Sequence, residues 1–171
     1  NDGILDNVFI FYAGYNESEG AHEDNIWPHQ SNIISLNVTV DGKRLATYAC
    51  TSEHSGVNGD VRAGIGTFCH EFGHVLGLPD LYDTEYKYYS VSNWSIMCSG
   101  SHTDNGRTPP TYSAYERFYL GWINPQQLTE KGQYTLLPLA SDNQAYLIAN
   151  QQHNMNGKNP NPTEFFLLEY R

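Results

Sequence analysis

One short stretch of this 171-residue chain, residues 67–83, combines side chains that could do metal chemistry. It has the sequence TFCHEFGHVLGLPDLYD and contains His70, Glu71 and His74. Two histidines four residues apart lie on one face of a helix, where both can bind the same zinc ion. Glu71 lies on the flank of that face, where it can reach a water molecule on the metal but is badly placed as a ligand.

A third ligand has to come from beyond the helix, and Asp80 is the candidate. The chain must stop and turn sharply after His74, and Gly77 permits the positive φ that such a turn needs. Three protein ligands would leave the fourth position of zinc open for water, as catalysis requires. The alternative, solvated histidines beside surface acids, is disfavoured by the combined spacing of histidine, glutamate, glycine and aspartate.

The helix that carries the histidines is predicted over residues 61–76, with Asp60 as its N-cap and with Gly77 and Pro79 at its end. At about 100° per residue, the apolar side chains fall on the side opposite to the histidines. These apolar residues are Ile65, Phe68, Phe72, Val75 and Leu76. We therefore expect an apolar stripe packed on a sheet and imidazoles that face outward.

The sheet is predicted from β-rich segments earlier in the chain. The continuous apolar run over residues 6–15 indicates a buried strand. Two β-rich runs flank Asp41-Gly42, which is a strong hairpin signal. The polar segment 51–60 is predicted to be a loop, and residues 112–122 are predicted to form a second helix that ends near Gly121.

The character of the sequence changes beyond residue 124. Segments 132–140, 144–150 and 164–171 are predicted strands, and the polar stretch 151–162 between them is predicted to be a flexible loop. Five other histidines are expected to be solvated in loops: His22, His29, His54, His102 and His153. The last strand pattern runs to Arg171, and we expect it to continue in a longer protein.

Composition excludes several classes of function. Asp and Glu outnumber Lys and Arg by 19 to 9, which argues against nucleic acid as a partner. No apolar run approaches the roughly 20 residues that a membrane span requires. Cys50, Cys69 and Cys98 leave the redox compartment open, and a Cys69–Cys98 disulfide is one option.

The motif residues resemble those of a known family. HEFGHVLGLPD resembles the extended zinc motif of the metzincins, in the branch with Asp as third ligand, and WSIMCSG resembles their Met-turn, with Met97 as its methionine. With YLGWINP and EFFLLEYR, these segments resemble the M6 peptidases of the immune inhibitor A type. The resemblance implies an α+β fold: a metzincin-like catalytic domain over residues 1–124 and the start of a β-rich region over residues 125–171. That domain would combine a mixed twisted sheet, an active-site helix, the Met-turn and a C-terminal helix.

The resemblance also implies a function, namely that of a secreted zinc endopeptidase. Zinc would be held by His70, His74 and Asp80, and Glu71 would act as general base. Protein or peptide substrates would add a strand beside the Asp41-Gly42 hairpin. Residues 82–89 would form the wall of a pocket with a preference for apolar side chains.

The family pattern leaves two further expectations. A strand, a helix and a propeptide would precede residue 1 in a longer multidomain chain, and calcium could accompany zinc. Candidate calcium ligands are Asp60, Asp83 and Asp104, although no EF-hand spacing supports them.

The alternative function is a non-catalytic zinc-containing binding or adhesion module of a larger secreted protein. Peptidase activity and its dependence on a metal distinguish the two.

Overall fold

The computed structural model describes residues 2–85 and 87–171, which form two compact units, Asn1–Pro110 and Thr111–Arg171. Both units combine strands with a few short helices, so the α+β class is confirmed at that level. The division falls before the second helix. The expected boundary between a peptidase domain and its extension at residue 124 remains a prediction. No described helix is long and apolar enough to cross a membrane.

The first unit is built on a mixed sheet around one long strand. The sheet elements are β1 (Ile4–Tyr15), β2 (His29–Asn32), β3 (Thr39–Val40), β4 (Lys43–Ser55) and β5 (Val61–Arg62). β1 runs parallel to β4 on one side, and β2, β3 and β5 pair antiparallel with it on the other. Helix α1 (Gly66–Val75) follows, and short 3₁₀ turns at Ser92–Trp94 and Ser99–His102 complete the unit.

The buried strand of this sheet is β4, not β1. Leu45, Ala49 and Cys50 of β4 are buried, whereas Ile10 and Phe11 of β1 are 44% and 60% exposed. Within the described residues β1 pairs only with β4, so the prediction of a buried strand at residues 6–15 was wrong. Part of its apolar character has another cause, because the ring of Phe11 stacks on Phe68 of α1 at 5.6 Å.

The Asp41-Gly42 hairpin is confirmed, but its strands differ in length. Asp41 and Gly42 both have positive φ, as a two-residue type I′ turn requires. β3 is only two residues long because Ile34–Leu36 forms a 3₁₀ turn. The predicted loop at residues 51–60 was wrong in its first half, because β4 continues to Ser55 with partners on both sides.

Helix α1 begins five residues later than predicted. Val61 and Arg62 pair with β4 as β5, so tertiary pairing overrides the helical pattern there. Ile65 occupies the N-cap position without a side-chain cap, and Asp60 is therefore not the N-cap. At Gly66 the helix passes so close to Ser101 that an added Cβ would lie 1.8 Å from its carbonyl oxygen. Only glycine fits at this position.

Gly66→Ala should therefore destabilise the chain by about 3 kcal/mol, at the upper end of ordinary overpacking. The clash is with backbone, which cannot rotate away as a side chain could. Gly132→Ala is the control, because its Cβ would meet only the ring of Tyr134 at 3.3 Å. Chemical denaturation measures both variants. An unchanged midpoint for Gly66→Ala would contradict the close approach.

The outward face of α1 also differs from the prediction. Ile65 and Phe72 of the apolar stripe are 59% and 38% exposed, whereas Glu71 is buried and the two histidines are largely covered. Two chain segments cause this burial: His70 contacts the carbonyl of Ile96, and His74 contacts that of Leu78. The polar face of the helix is thus the face that the protein encloses.

The second unit contains α2 (Ala114–Leu120), β6 (Gln126–Gln127), α3 (Leu139–Asp142), β7 (Tyr146–Ile148) and β8 (Phe166–Leu168). The predicted helix at residues 112–122 is confirmed, with a capping box at Ser113 and Glu116 and Gly121 as its left-handed C-cap. β7 lies between β6 and β8. The core consists of Ala114, Phe118, Ile123, Leu139, Ala145 and Leu147.

The predicted strand at residues 132–140 was wrong, and so was the expectation that five histidines lie solvated in loops. Segment 132–140 is irregular up to α3 and forms no strand. His153 is 2% exposed and lies against Phe118 and Phe165, with ring centroids 5.7 and 4.8 Å away. Of the other histidines expected in loops, His29 lies on β2 and His54 on β4. Loop position in the sequence was therefore a poor guide to solvation.

Candidate metal centre

Three side-chain atoms of the motif converge on one point. Helix α1 places His70 and His74 one turn apart, with their Nε2 atoms 3.2 Å from each other. Oδ1 of Asp80 lies 3.1 Å from Nε2 of His70 and 3.2 Å from Nε2 of His74. Among the residues that the structure describes, no other group of three or more His, Cys, Asp or Glu is placed to hold a metal ion.

The return of Asp80 depends on the turn after the helix. Gly77 has φ 97°, and its N–H and that of Leu78 donate to the carbonyls of His74 and Gly73. Leu78 is buried, so the turn is anchored before the chain reaches Asp80. This is the left-handed helix stop expected from the sequence.

The hydrogen bonds of the two imidazoles fix which nitrogen carries the proton. Nδ1 of His70 lies 2.8 Å from the carbonyl oxygen of Ile96, and Nδ1 of His74 lies 2.8 Å from that of Leu78. A carbonyl only accepts, so each Nδ1 donates and each Nε2 of a neutral ring presents a lone pair. Backbone carbonyls orient metal-binding histidines in the same way in other proteins.

Three lone-pair atoms therefore face one another. Oδ1 of Asp80 is buried and, despite its short distance to both imidazoles, accepts no hydrogen bond of good geometry from the described residues. Burial would raise the pKa of Asp80, but the adjacent imidazoles lower it by more, so the carboxylate is ionised. Burial would also lower the pKa of His74, but Asp80 and the Leu78 carbonyl reverse that shift. The lowered pKa means that the site stabilises the Asp80 anion, and the raised pKa of His74 means that positive charge is stabilised beside that anion.

The spacing of the three atoms fits zinc. Tetrahedral zinc with bonds of about 2.0–2.2 Å separates its ligand atoms by about 3.3–3.5 Å. The observed separations are 3.1–3.2 Å, and two nitrogens with one carboxylate oxygen form an ordinary zinc donor set. Chemistry and geometry of the donors therefore both suit the ion.

Glu71 follows His70 directly in the chain and lies beside this centre. It is 5% exposed, and its carboxylate makes no hydrogen bond to any residue in the described part of the chain. Together with His70 it lines a cavity of about 310 Å³. Burial raises the pKa of Glu71, and the charge of Asp80 adds to this, whereas His70 and His74 oppose it. A raised pKa suits a group that takes up and releases a proton near neutrality.

The segment with Met97 supports the centre through backbone hydrogen bonds that the sequence did not predict. Met97 is fully buried. The carbonyl before it, that of Ile96, holds His70, and its own carbonyl accepts a hydrogen bond from N–H of Leu81 at 2.8 Å. One peptide segment thus contacts both a metal-candidate histidine and the residue next to Asp80. The position of Met97 directly beneath a metal stays a prediction.

The remaining candidates are not assembled into a site. Cys50, Cys69 and Cys98 are all free, so the optional Cys69–Cys98 disulfide is not formed. Asp83 uses both carboxylate oxygens for backbone N–H groups of residues 85, 87 and 88. The calcium expectation for Asp60, Asp83 and Asp104 gains no support from these contacts.

A mixed sheet, a helix with two converging histidines and a buried acid beside a cavity together describe a centre of the metallopeptidase class. Comparison with known families agrees: the immune inhibitor A peptidase M6 catalytic domain matches residues 1–123. The chain belongs to this M6 peptidase family, as its resemblance to that family predicted.

Two curated relatives give the same result. Pre-pro-metalloprotease PrtV of Vibrio cholerae is 33% identical over 144 residues, which are 75% of this chain and 16% of that protein. Immune inhibitor A of Bacillus thuringiensis subsp. alesti is 29% identical over 128 residues, 66% of this chain and 18% of that protein. The chain therefore spans less than a fifth of the length of these relatives.

Proposed function

We propose that this chain is the catalytic part of an extracellular zinc-dependent endopeptidase, with His70, His74 and Asp80 as the metal ligands and Glu71 as the general base. One observation carries the proposal: Nε2 of His70, Nε2 of His74 and Oδ1 of Asp80 lie 3.1–3.2 Å apart, while both Nδ1 atoms donate to backbone carbonyls. Such an arrangement is repulsive unless a cation lies among the three atoms. Family membership supplies the reaction class.

The chemistry divides between the metal and Glu71. A bound zinc ion would polarise the scissile carbonyl and lower the pKa of an attacking water. The Glu71 carboxylate, which is buried and has no hydrogen-bond partner in the described chain, would accept the proton of that water. It would then return the proton to the leaving amine. The raised pKa of Glu71 makes its carboxylate a stronger base and so favours the first step, removal of the proton from the water.

The substrate would bind as an extended chain along the sheet. The proposed docking edge is the second edge of β2 and not the Asp41-Gly42 hairpin named above, because β2 pairs with β4 and, within the described residues, with no other strand. Edge pairing fixes the peptide backbone while leaving the side chains to neighbouring pockets. A longer parent protein with further domains is part of the proposal, because the relatives are five to six times longer than the matched region.

A non-catalytic zinc module is less well supported. A structural zinc site has four protein ligands, whereas this centre offers three. A purely structural site would also have no use for Glu71, a buried acid that lines a cavity and has no hydrogen-bond partner among the described residues. Both features favour catalysis.

Metal removal provides the test of the proposed function. The zinc-loaded chain should hydrolyse internally quenched peptides, and a chelator should reduce the rate to background because Glu71 alone cannot polarise the carbonyl. About one equivalent of zinc should restore activity, and chelator already saturated with zinc should have no effect. Full activity after complete metal removal would contradict the mechanism. A chain that binds zinc and cleaves no peptide would support the module instead.

A further inference from the structure

The cavity beside Glu71 has an unusual lining. It measures about 310 Å³ and lies entirely within the first unit. Hydroxyl, aromatic and carboxylate side chains line it together with two imidazoles and one thiol, and none of the described lining residues is aliphatic, lysine or arginine. Polar groups and aromatic ring surface thus share the lining, and the apolar preference predicted from the tyrosine-rich segment 82–89 is the alternative that the leucine peptide below tests. Tyr86 of that segment lies outside the described residues.

Several cavity hydroxyls present acceptors and not donors. Ser18 donates its hydroxyl hydrogen to Oδ1 of Asn16 at 2.8 Å, and Thr67 donates to Oε1 of Glu19 at 2.5 Å. Ser101 donates to the carbonyl of Cys98 at 3.1 Å. Each hydroxyl has one hydrogen, so what these three groups can offer to a ligand are lone pairs.

Negative charge adds to this set of acceptors. Asp83 lines the cavity, and the backbone N–H groups that it accepts from residues 85, 88 and 87 keep its pKa below the usual range. Lys87, the one lysine of this loop, forms an ion pair with Glu85 at 2.5 Å and does not line the cavity. Glu71 also lines the cavity, but its carboxylate is assigned to the attacking water and is not counted among the partners of a bound side chain.

Aromatic rings form the remaining walls. The ring of Tyr82 stacks over that of His70 with centroids 6.5 Å apart, and the half-exposed Trp27 lies on the rim. The carbonyl of Trp27 accepts a hydrogen bond from Nδ1 of His29 at 2.8 Å, which holds the rim in place. Faces of tyrosine and tryptophan attract cations.

We propose that this cavity binds a cationic side chain, arginine or lysine, at the substrate position that follows the scissile bond. The inference rests on the proposed peptidase function for its place in the substrate. Arginine and lysine carry several donors and no acceptor, so they match a cavity with three acceptor hydroxyls, the Asp83 carboxylate and aromatic faces. A leucine side chain would leave those acceptors without partners, which disfavours its binding.

Peptide cleavage tests the preference directly. Three quenched peptides should differ only after the scissile bond, where they carry arginine, its neutral isostere citrulline, or leucine. The arginine peptide should be cleaved with a kcat/KM at least about tenfold above the other two, because hydrogen bonds to a charged group are the stronger ones. Equal rates for arginine and citrulline, or a leucine preference, would overturn the inference while leaving the peptidase proposal intact.

A binding experiment separates the inference from activity altogether. Butylguanidinium and butylurea, added to the zinc-loaded chain, should be compared by NMR shifts of the amide signals of Ser18, Thr67 and Ser101. The cation should bind at least about tenfold more tightly. The double variant Ser18→Ala/Ser101→Ala should reduce that ratio several-fold, and Ser141→Ala, outside the cavity, should preserve it. Equal binding of both probes to the unaltered chain would overturn the proposal even if no peptide were cleaved.

Discussion

Glu71→Gln should retain zinc and fold while losing peptidase activity by at least about 10²–10⁴-fold, the usual contribution of a general acid–base group. Glutamine keeps the size of glutamate but cannot accept the proton of an attacking water. Glu71 is buried without a hydrogen-bond partner in the described chain, so neutralising it removes no native contact. Thermal stability should stay the same or rise, because burying a neutral amide costs less than burying a carboxylate.

The measurement pairs single-turnover kinetics with metal analysis of the same samples. Glu23→Gln is the matched control, since Glu23 is an exposed acid of the same unit and does not line the cavity. Its activity should equal that of the unaltered chain. Comparable cleavage by Glu71→Gln, with zinc bound, would remove Glu71 from the mechanism.

The second large effect is expected for the metal itself. His74→Ala removes one of the three convergent donors and should weaken zinc binding by at least about 100-fold, more than loss of a supporting hydrogen bond does. Zinc content at micromolar metal should fall from about one per chain to a small fraction. The stabilisation by added zinc should fall with it, because a ligand stabilises only the state that binds it.

Competition with a chromophoric chelator measures the zinc affinity of each variant, and thermal unfolding with and without zinc measures how much zinc stabilises the fold. His22→Ala serves as control, because His22 is exposed and its side chain forms an ion pair with Asp24 at 3.1 Å, outside the candidate metal centre. It should bind zinc like the unaltered chain. Unchanged affinity in His74→Ala would rule out the assigned ligand set.

The sequence was informative about the metal-candidate residues because their geometry is local. His70, His74 and Asp80 span eleven positions, so helix periodicity and one glycine turn are enough to predict their convergence. The hairpin at Asp41-Gly42 was predictable for the same reason. The α2 helix carries its own capping box and C-cap glycine, so its boundaries were also encoded nearby.

Features that depend on distant partners escaped the sequence. The start of α1 is set by the pairing of Val61 and Arg62 with β4, which local propensity cannot reveal. The proton on Nδ1 of His70 is fixed by a carbonyl 26 residues away. The hydroxyl hydrogen of Thr67 is donated to Glu19, 48 residues earlier in the chain, which leaves the oxygen as an acceptor. The polarity of the cavity therefore follows from contacts that only the folded chain brings together.

The two imidazoles owe their orientation to main-chain oxygens, those of Ile96 and Leu78. Every amino acid supplies the same carbonyl group, so a substitution at either position keeps the acceptor as long as the backbone path is kept. Mutational drift can therefore alter the side chains around the centre without altering the tautomer of either histidine. Substitutions at positions 78 and 96 can therefore change the core packing while the proton arrangement of the candidate metal centre stays the same.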